Sequence, residues 1–85
     1  MNPQKYQPPK PVLPGHKAFL EKVGKKFKVL RDEKNISISS LANELEISRN
    51  SYSLMEKGEI YFSFSNLLKI LDYYRLSPED FFKEL

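Results

Sequence analysis

The chain has 85 residues and no cysteine, which limits it to one small domain and excludes a disulfide framework, a thiolate zinc site and thiol redox chemistry. No apolar segment approaches the roughly 20 residues that span a membrane, and the N-terminus lacks the apolar stretch of a signal peptide, so we expect a cytoplasmic protein. The net charge of +3 hides an asymmetry. Residues 1–31 carry eight Lys and Arg and one acid, whereas residues 32–85 carry six Lys and Arg and ten acids.

Residues 1–15 are predicted to form a flexible, basic, Pro-rich arm, since they hold five of the six prolines. From about residue 17 to residue 34, apolar residues recur at three- and four-residue steps, which indicates an amphipathic first helix. Gly24 inside this helix costs roughly 1 kcal/mol relative to alanine, and we interpret it as a point of close approach. Asn35 is suited to end the helix in a left-handed conformation. The lysines of this basic region either neutralise DNA phosphates or form a solvated face.

Two short helices follow, predicted over about 38–45 and 49–56. Ser37 and Ser48 are suited to cap their first turns, and Gly58 is suited to end the second helix. One apolar face of the first helix contains Leu41, Ala42 and Leu45. Helix, three-residue turn and helix together form a helix-turn-helix pattern. Because the second helix is too short to be stable alone in water, a scaffold must hold it.

The last third of the chain is predicted to add two more helices. Residues 59–63 alternate as a strand would, but the sequence offers no partner strand, so we predict a loop. A fourth helix is predicted over about 64–74, capped by Ser63, and its inward residues are Leu67, Ile70, Leu71 and Tyr74. Ser77 followed by Pro78 predicts the start of a fifth helix. Aromatic residues concentrate here; most are expected in the core, and a surplus would mark an interface.

Residues 36–82 resemble the phage-repressor and Cro-type helix-turn-helix family, also called the xenobiotic-response-element family. The positions that coincide with the family's spacing are Leu41-Ala42, Ile47-Ser48, Ser53 and Glu56-x-Gly58. The resemblance implies an all-α, lambda-repressor-like bundle of four to five short helices over residues 16–85. It also implies a sequence-specific, DNA-binding regulator of transcription, most simply a repressor at a palindromic operator. Relatives often dimerise through their C-terminal helices, which places two recognition helices about one DNA turn apart, so the resemblance implies a homodimer through the C-terminal helices of this chain as well.

The chain departs from the family's pattern at four places. Ile38 replaces a common Gln that anchors the second helix to the DNA backbone. Glu46 replaces the turn Gly, so a residue with a side chain is expected to adopt positive φ at some strain. Leu54 replaces a polar or small base-reading residue, and residues 60–62 replace a loop that is often basic and contains proline. These departures concern DNA affinity and the site more than the fold.

The recognition helix supplies the candidate base-reading residues. Arg49 matches guanine O6 and N7, and Asn50 matches adenine N6 and N7; the alternative is two exposed polar residues in a first turn. Ser53 is a candidate for contact with a base or a phosphate. Leu54 either packs on a thymine methyl or is half-buried against the preceding helix or a partner.

The candidate phosphate contacts are Ser37, Asn43, Lys57 and Lys34. The first of them opens a helix whose free N–H groups and dipole favour an anion; the alternative for each is a solvated surface residue. The family resemblance further implies that Arg31 and Glu56 form a structural ion pair, which ties the first helix to the recognition helix. A guanidinium in a partly buried site prefers such a bidentate carboxylate.

Catalysis and cofactors are not expected. His16 is the single histidine and has no ligand at metal-binding spacing, and the serines serve as caps and turns. We therefore predict no enzyme, no metal, no other cofactor and no small-molecule ligand. The rival hypothesis is a protein-interaction module, antitoxin-like or polymerase-binding, that keeps the scaffold. Its apolar surface would contain Leu54, Ile60, Tyr61 and Phe62, and the acidic balance of residues 32–85 supports it.

Overall fold

A computed structural model of the protein describes residues 11–85, and its first helix, α1, spans Pro14–Lys34. The helix begins three residues before its predicted start because Pro14 occupies the first helical position, where its missing N–H is not needed. It ends at Asn35 with φ 55°, as predicted. The predicted arm over 1–15 thus includes two residues of α1, and its first ten residues lie outside the described part of the chain.

Helices α2 (Ile38–Leu45) and α3 (Arg49–Lys57) form the helix-turn-helix. The Ser37 and Ser48 side-chain oxygens each accept a hydrogen bond from a first-turn N–H at 3.0 Å, which satisfies an otherwise unpaired donor. Between the helices, Glu46 adopts φ 58°, so the predicted positive φ at a residue with a side chain is confirmed. The following Ile47 is buried and donates its N–H to the Ala42 carbonyl at 3.0 Å, which closes the turn.

Helices α4 (Phe64–Tyr74) and α5 (Pro78–Lys83) complete the fold. Ser63 and Ser77 cap them in the same way as the two earlier serines. The segment 59–63 is a loop, as predicted, and residues 11–85 contain helices and no strand. The all-α bundle of five helices predicted from the sequence is therefore confirmed.

The core lies between all five helices. Its largest fully buried side chains are Tyr52, Phe27, Phe81, Leu41, Met55, Ile70, Leu71 and Val23. The backbones of α1 and α3 meet at Gly24, as predicted: a methyl group there would collide with the Glu56 carbonyl and lie 2.6 Å from the Met55 oxygen. Gly58 has a left-handed φ of 70°, and a methyl group added there would likewise collide with the backbone of Glu21. Contact between backbones, rather than between side chains alone, therefore positions α3 on α1.

Candidate nucleic-acid interface

A buried ion pair joins α1 to the recognition helix α3. The Arg31 guanidinium donates to both Glu56 carboxylate oxygens, from Nε at 2.7 Å and from Nη2 at 3.1 Å. The side chains of Arg31 and Glu56 are 12% and 6% exposed. Arg31 Nη1 also donates to the Ile36 carbonyl at 3.0 Å, so the same guanidinium holds the turn before α2. The bidentate geometry fixes orientation as well as distance.

Tyr52 adds a third donor to this ion pair. Its hydroxyl donates to Glu56 Oε2 at 2.7 Å, one helical turn away on α3. Burial, followed by the hydrogen bond to Glu56, raises the pKa of Tyr52 well above its ordinary value. The hydrogen bond to Glu56 raises the pKa of Arg31 as well. The phenol therefore stays neutral, the guanidinium stays charged, and both Glu56 oxygens accept hydrogen bonds from protein donors. The charge of Glu56 is compensated by that of Arg31.

The Tyr74 hydroxyl lies near this cluster. It is buried and makes no hydrogen bond within residues 11–85. Burial raises the pKa of Tyr74 to about 12, and the charge of Glu56 contributes in the same direction. The cluster thus contains two neutral phenols, of which one is paired. Tyr74 was predicted to face inward, and its side chain is half-buried in the structure.

The outward face of α3 brings four candidate residues together. Asn50, Ser53, Leu54 and Lys57 follow one another at steps of three, one and three residues, which places them on one side of a helix. The opposite side carries the buried Tyr52 and Met55.

Exposure differs along that face. Arg49, Asn50 and Lys57 are exposed, whereas Ser53 and Leu54 are half-buried. No exposed acid interrupts the row on α3, because its single carboxylate is the one paired with Arg31. The four residues of the face therefore offer one cation, one amide, one hydroxyl and one apolar side chain to a ligand, and the exposed Arg49 lies beside them in the first turn.

The candidate phosphate residues are spread over three elements. Ser37 and Asn43 are exposed on α2 and its cap, and Lys57 ends α3. The oxygen of Ser37 already accepts the Ser40 N–H, so only its hydroxyl proton remains for a phosphate. Lys34 lies elsewhere: its Nζ stands 5.7 Å from the centre of the Tyr73 ring, close enough for a cation–π contact. That contact competes with a phosphate for Lys34.

The loop after α3 is held by a contact that local sequence patterns do not reveal. The Tyr61 hydroxyl lies 2.6 Å from His16 Nδ1 and accepts the Leu13 N–H at 3.2 Å. The start of α1 is thereby attached to the loop, although 45 residues separate His16 from Tyr61 in sequence. The rest of the predicted apolar surface is mixed, since Ile60 and Phe62 are half-buried and pack against the core.

A second unpredicted contact positions α5. Lys26 donates from Nζ to the Phe81 carbonyl at 3.0 Å, stands 5.0 Å from the Phe81 ring centre, and lies 3.8 Å from a Glu84 oxygen. One of the lysines counted as candidate phosphate neutralisers thus serves the fold. The sequence does not predict the Lys26–Phe81 contact, because local periodicity does not show that α5 packs on α1.

Residues 11–85 contain no group of three or more His, Cys, Asp or Glu side chains placed to hold a metal ion together. In the same part of the chain, no helix has both the length and the apolar character needed to cross a bilayer.

The helical scaffold, its two capped helices and the exposed face of α3 define a DNA-binding helix-turn-helix domain. Comparison with known families agrees: residues 26–83 match the Cro/C1-type HTH DNA-binding domain. Since the match covers more than half of the chain, the protein belongs to this family. No curated protein and no solved structure matches the chain significantly.

Proposed function

We propose that the protein is a sequence-specific repressor of transcription that binds a palindromic operator as a homodimer. Membership of the Cro/C1-type family supports a DNA-binding regulator; the operator, the repression and the dimer are our inference. The observation that carries the proposal is the outward face of α3, where exposed polar and basic side chains stand on a helix whose C-terminal end is held against α1. We expect the protein to act in the cytoplasm, at the nucleoid, without enzymatic activity.

Base readout is assigned to the first turns of α3. Arg49 and Asn50 have the donor and acceptor patterns for guanine and adenine in the major groove, and both are exposed. Ser53 lies one turn further on the same side and can bond to a base or a phosphate. Leu54 is half-buried, which leaves part of its side chain to contact a thymine methyl.

Phosphate binding is assigned to the N-terminus of α2 and the C-terminus of α3. Ser37 caps α2, so the remaining free N–H groups of the first turn and the helix dipole favour an anion there. Asn43, Lys57 and Lys34 are the further candidates, and all three are exposed. The basic Pro-rich arm, whose first ten residues lie outside the described part, is a candidate for the DNA backbone or a minor groove.

The direct test is selection of bound sites from a random duplex library. The proposal expects enrichment of one inverted repeat with half-sites about one helical turn apart. A non-palindromic consensus would refute the dimer while leaving sequence-specific binding intact. Failure to enrich any sequence would refute specific DNA binding altogether.

A protein-interaction module remains the second candidate because α4 exposes apolar side chains. Phe64 is 67% exposed and Leu68, one turn later on α4, is 37% exposed. Tyr61 in the preceding loop is 41% exposed. Fluorescence anisotropy on random duplex DNA separates the two candidates. A DNA-binding protein shows affinity at low salt that falls steeply as salt rises, whereas absence of binding at low salt favours the protein partner.

A further inference from the structure

A groove runs between α1 and α5, away from the recognition helix. It consists of two adjoining hollows of about 280 Å³ and about 390 Å³, which share Lys26, Val29 and Glu84 along their border. Val29 is 52% exposed. A β-branched residue lowers helix propensity, so helix stability does not explain a valine at this exposed position. We call this surface the α1–α5 groove.

The two ends of the α1–α5 groove carry opposite charges. Glu33 and Asp80 line one hollow, whereas Lys22 and Lys25 line the other. Within residues 11–85, none of these four side chains forms an ion pair, although the chain forms several elsewhere. The groove therefore has Val29 beside the Lys26–Glu84 ion pair in its middle, acidic side chains at one end and basic side chains at the other.

The spacing along α1 makes this surface complementary to itself. Lys25, Val29 and Glu33 follow one another at four-residue steps, so they lie on one stripe with about 6 Å of helix between neighbours. If a second α1 lies antiparallel with Val29 at the twofold axis, Lys25 of each copy stands opposite Glu33 of the other. A twofold interface requires such reciprocity, in which residue i contacts j and j contacts i.

We propose that two copies of this chain pair through the α1–α5 groove, with their α1 helices antiparallel about Val29. This inference rests on the homodimer of the proposed function and assigns its interface to α1 and α5. The exposed Val29 is buried by the partner's α1, and two reciprocal Lys25–Glu33 pairs fix the register.

The recognition surface stays free in this arrangement. Gly24 faces α3, and Glu33 follows it by nine residues, which is about two and a half helical turns. The stripe on α1 therefore points away from α3. Pairing through it covers neither the first turn of α3 nor Lys57, so a dimer can form before DNA is bound.

Charge exchange tests the register by sedimentation equilibrium of the full chain. Lys25→Glu or Glu33→Lys replaces two attractive contacts by two repulsive ones, and each is expected to weaken self-association about tenfold or more. An equimolar mixture of the two variants restores complementary pairs at both contacts and should dimerise like the wild-type protein. The double variant carrying both substitutions should do the same. Lys69→Glu, an equal change of charge on exposed α4, is the control and should leave self-association unchanged.

Two results would overturn the inference. One is a wild-type chain that stays monomeric up to millimolar concentration. The other is a dimer that tolerates both single variants, which would place the interface on another face. Neither result touches DNA binding, which anisotropy on duplex DNA measures separately. Circular dichroism of each variant verifies that loss of self-association is not loss of fold.

Discussion

Glu56→Ala is the sharpest test of the cluster that holds the recognition helix. The substitution removes the acceptor of three hydrogen bonds, two from Arg31 and one from Tyr52. Arg31 keeps its bond to the Ile36 carbonyl, but its charge loses its buried partner. The Tyr52 side chain, which has no exposed surface, loses the partner of its hydroxyl.

The expected loss follows from the burial of both partners. Removing one member of a buried ion pair costs about 3–5 kcal/mol, since the other charge remains buried without a partner. An unpaired buried hydroxyl costs about 1–3 kcal/mol, but the two penalties share the same carboxylate and do not add. For a domain of this size each kcal/mol lowers Tm by about 4–8 °C. We therefore expect Glu56→Ala to lower Tm by at least about 12 °C.

Thermal and urea denaturation followed by circular dichroism measure this loss, and two further variants identify its cause. Glu56→Gln keeps the volume and one acceptor oxygen, so it should cost less than Glu56→Ala. The double variant Arg31→Met with Glu56→Leu removes both charges. It should cost clearly less than the sum of the two single substitutions. A Glu56→Ala protein within about 0.5 kcal/mol of the wild type, or fully additive singles, would refute the structural role of the ion pair.

Three further predictions concern the helix contact, the phenols and the DNA. Gly24→Ala should destabilise by about 1–3 kcal/mol in urea denaturation, because its methyl group meets two carbonyl oxygens. Gly15→Ala, with nothing within 4 Å, should not destabilise, and equal results for the two would contradict the close contact. The folded pKa of Tyr52 lies above its ordinary 10.0. Its contribution to the free energy of unfolding is therefore complete below about pH 10 and falls above it. Tyr52→Phe should reduce this alkaline decline, and an unchanged decline would refute the assignment. Arg49→Ala should cost about 1–3 kcal/mol on the selected operator and relax one base position, whereas Lys57→Ala should weaken all sequences alike and reduce the salt slope by about 1. Anisotropy titrations distinguish them, and identical effects would contradict the division of roles.

The helix ends were predictable because their signals are local. Ser37, Ser48 and Ser63 each precede an apolar periodic run, and each accepts the first-turn N–H that its position suggests. The start of α1 lies three residues before the predicted one because Pro14, which resembles the Pro-rich arm in composition, occupies the first helical position that proline also favours. The end of α4 is less predictable, because Arg75 adopts φ 58° there and arginine does not favour a left-handed conformation.

The contacts that hold the site also divide into those that the sequence can predict and those that depend on packing. The Arg31–Glu56 ion pair is implied by the family resemblance. The Tyr52–Glu56 hydrogen bond is local, because the two residues lie one helical turn apart, and their spacing alone could have predicted it. The His16–Tyr61 and Lys26–Phe81 contacts link residues 45 and 55 positions apart. They depend on how α1 lies against the loop and against α5. Local periodicity identifies the helices but not which pairs of residues their packing brings together.

The backbone contact at Gly24 also bears on how this protein can acquire a new operator. The orientation of α3 depends on the backbones of α1 and α3 and on the buried Arg31–Glu56 pair, none of which belongs to the DNA-facing surface. Arg49, Asn50 and Ser53, which we propose as base-reading residues, take no part in these contacts, so we expect their exchange to leave α3 in its place. On that proposal, we expect operator preference to change one side chain at a time, with little loss of stability at each step.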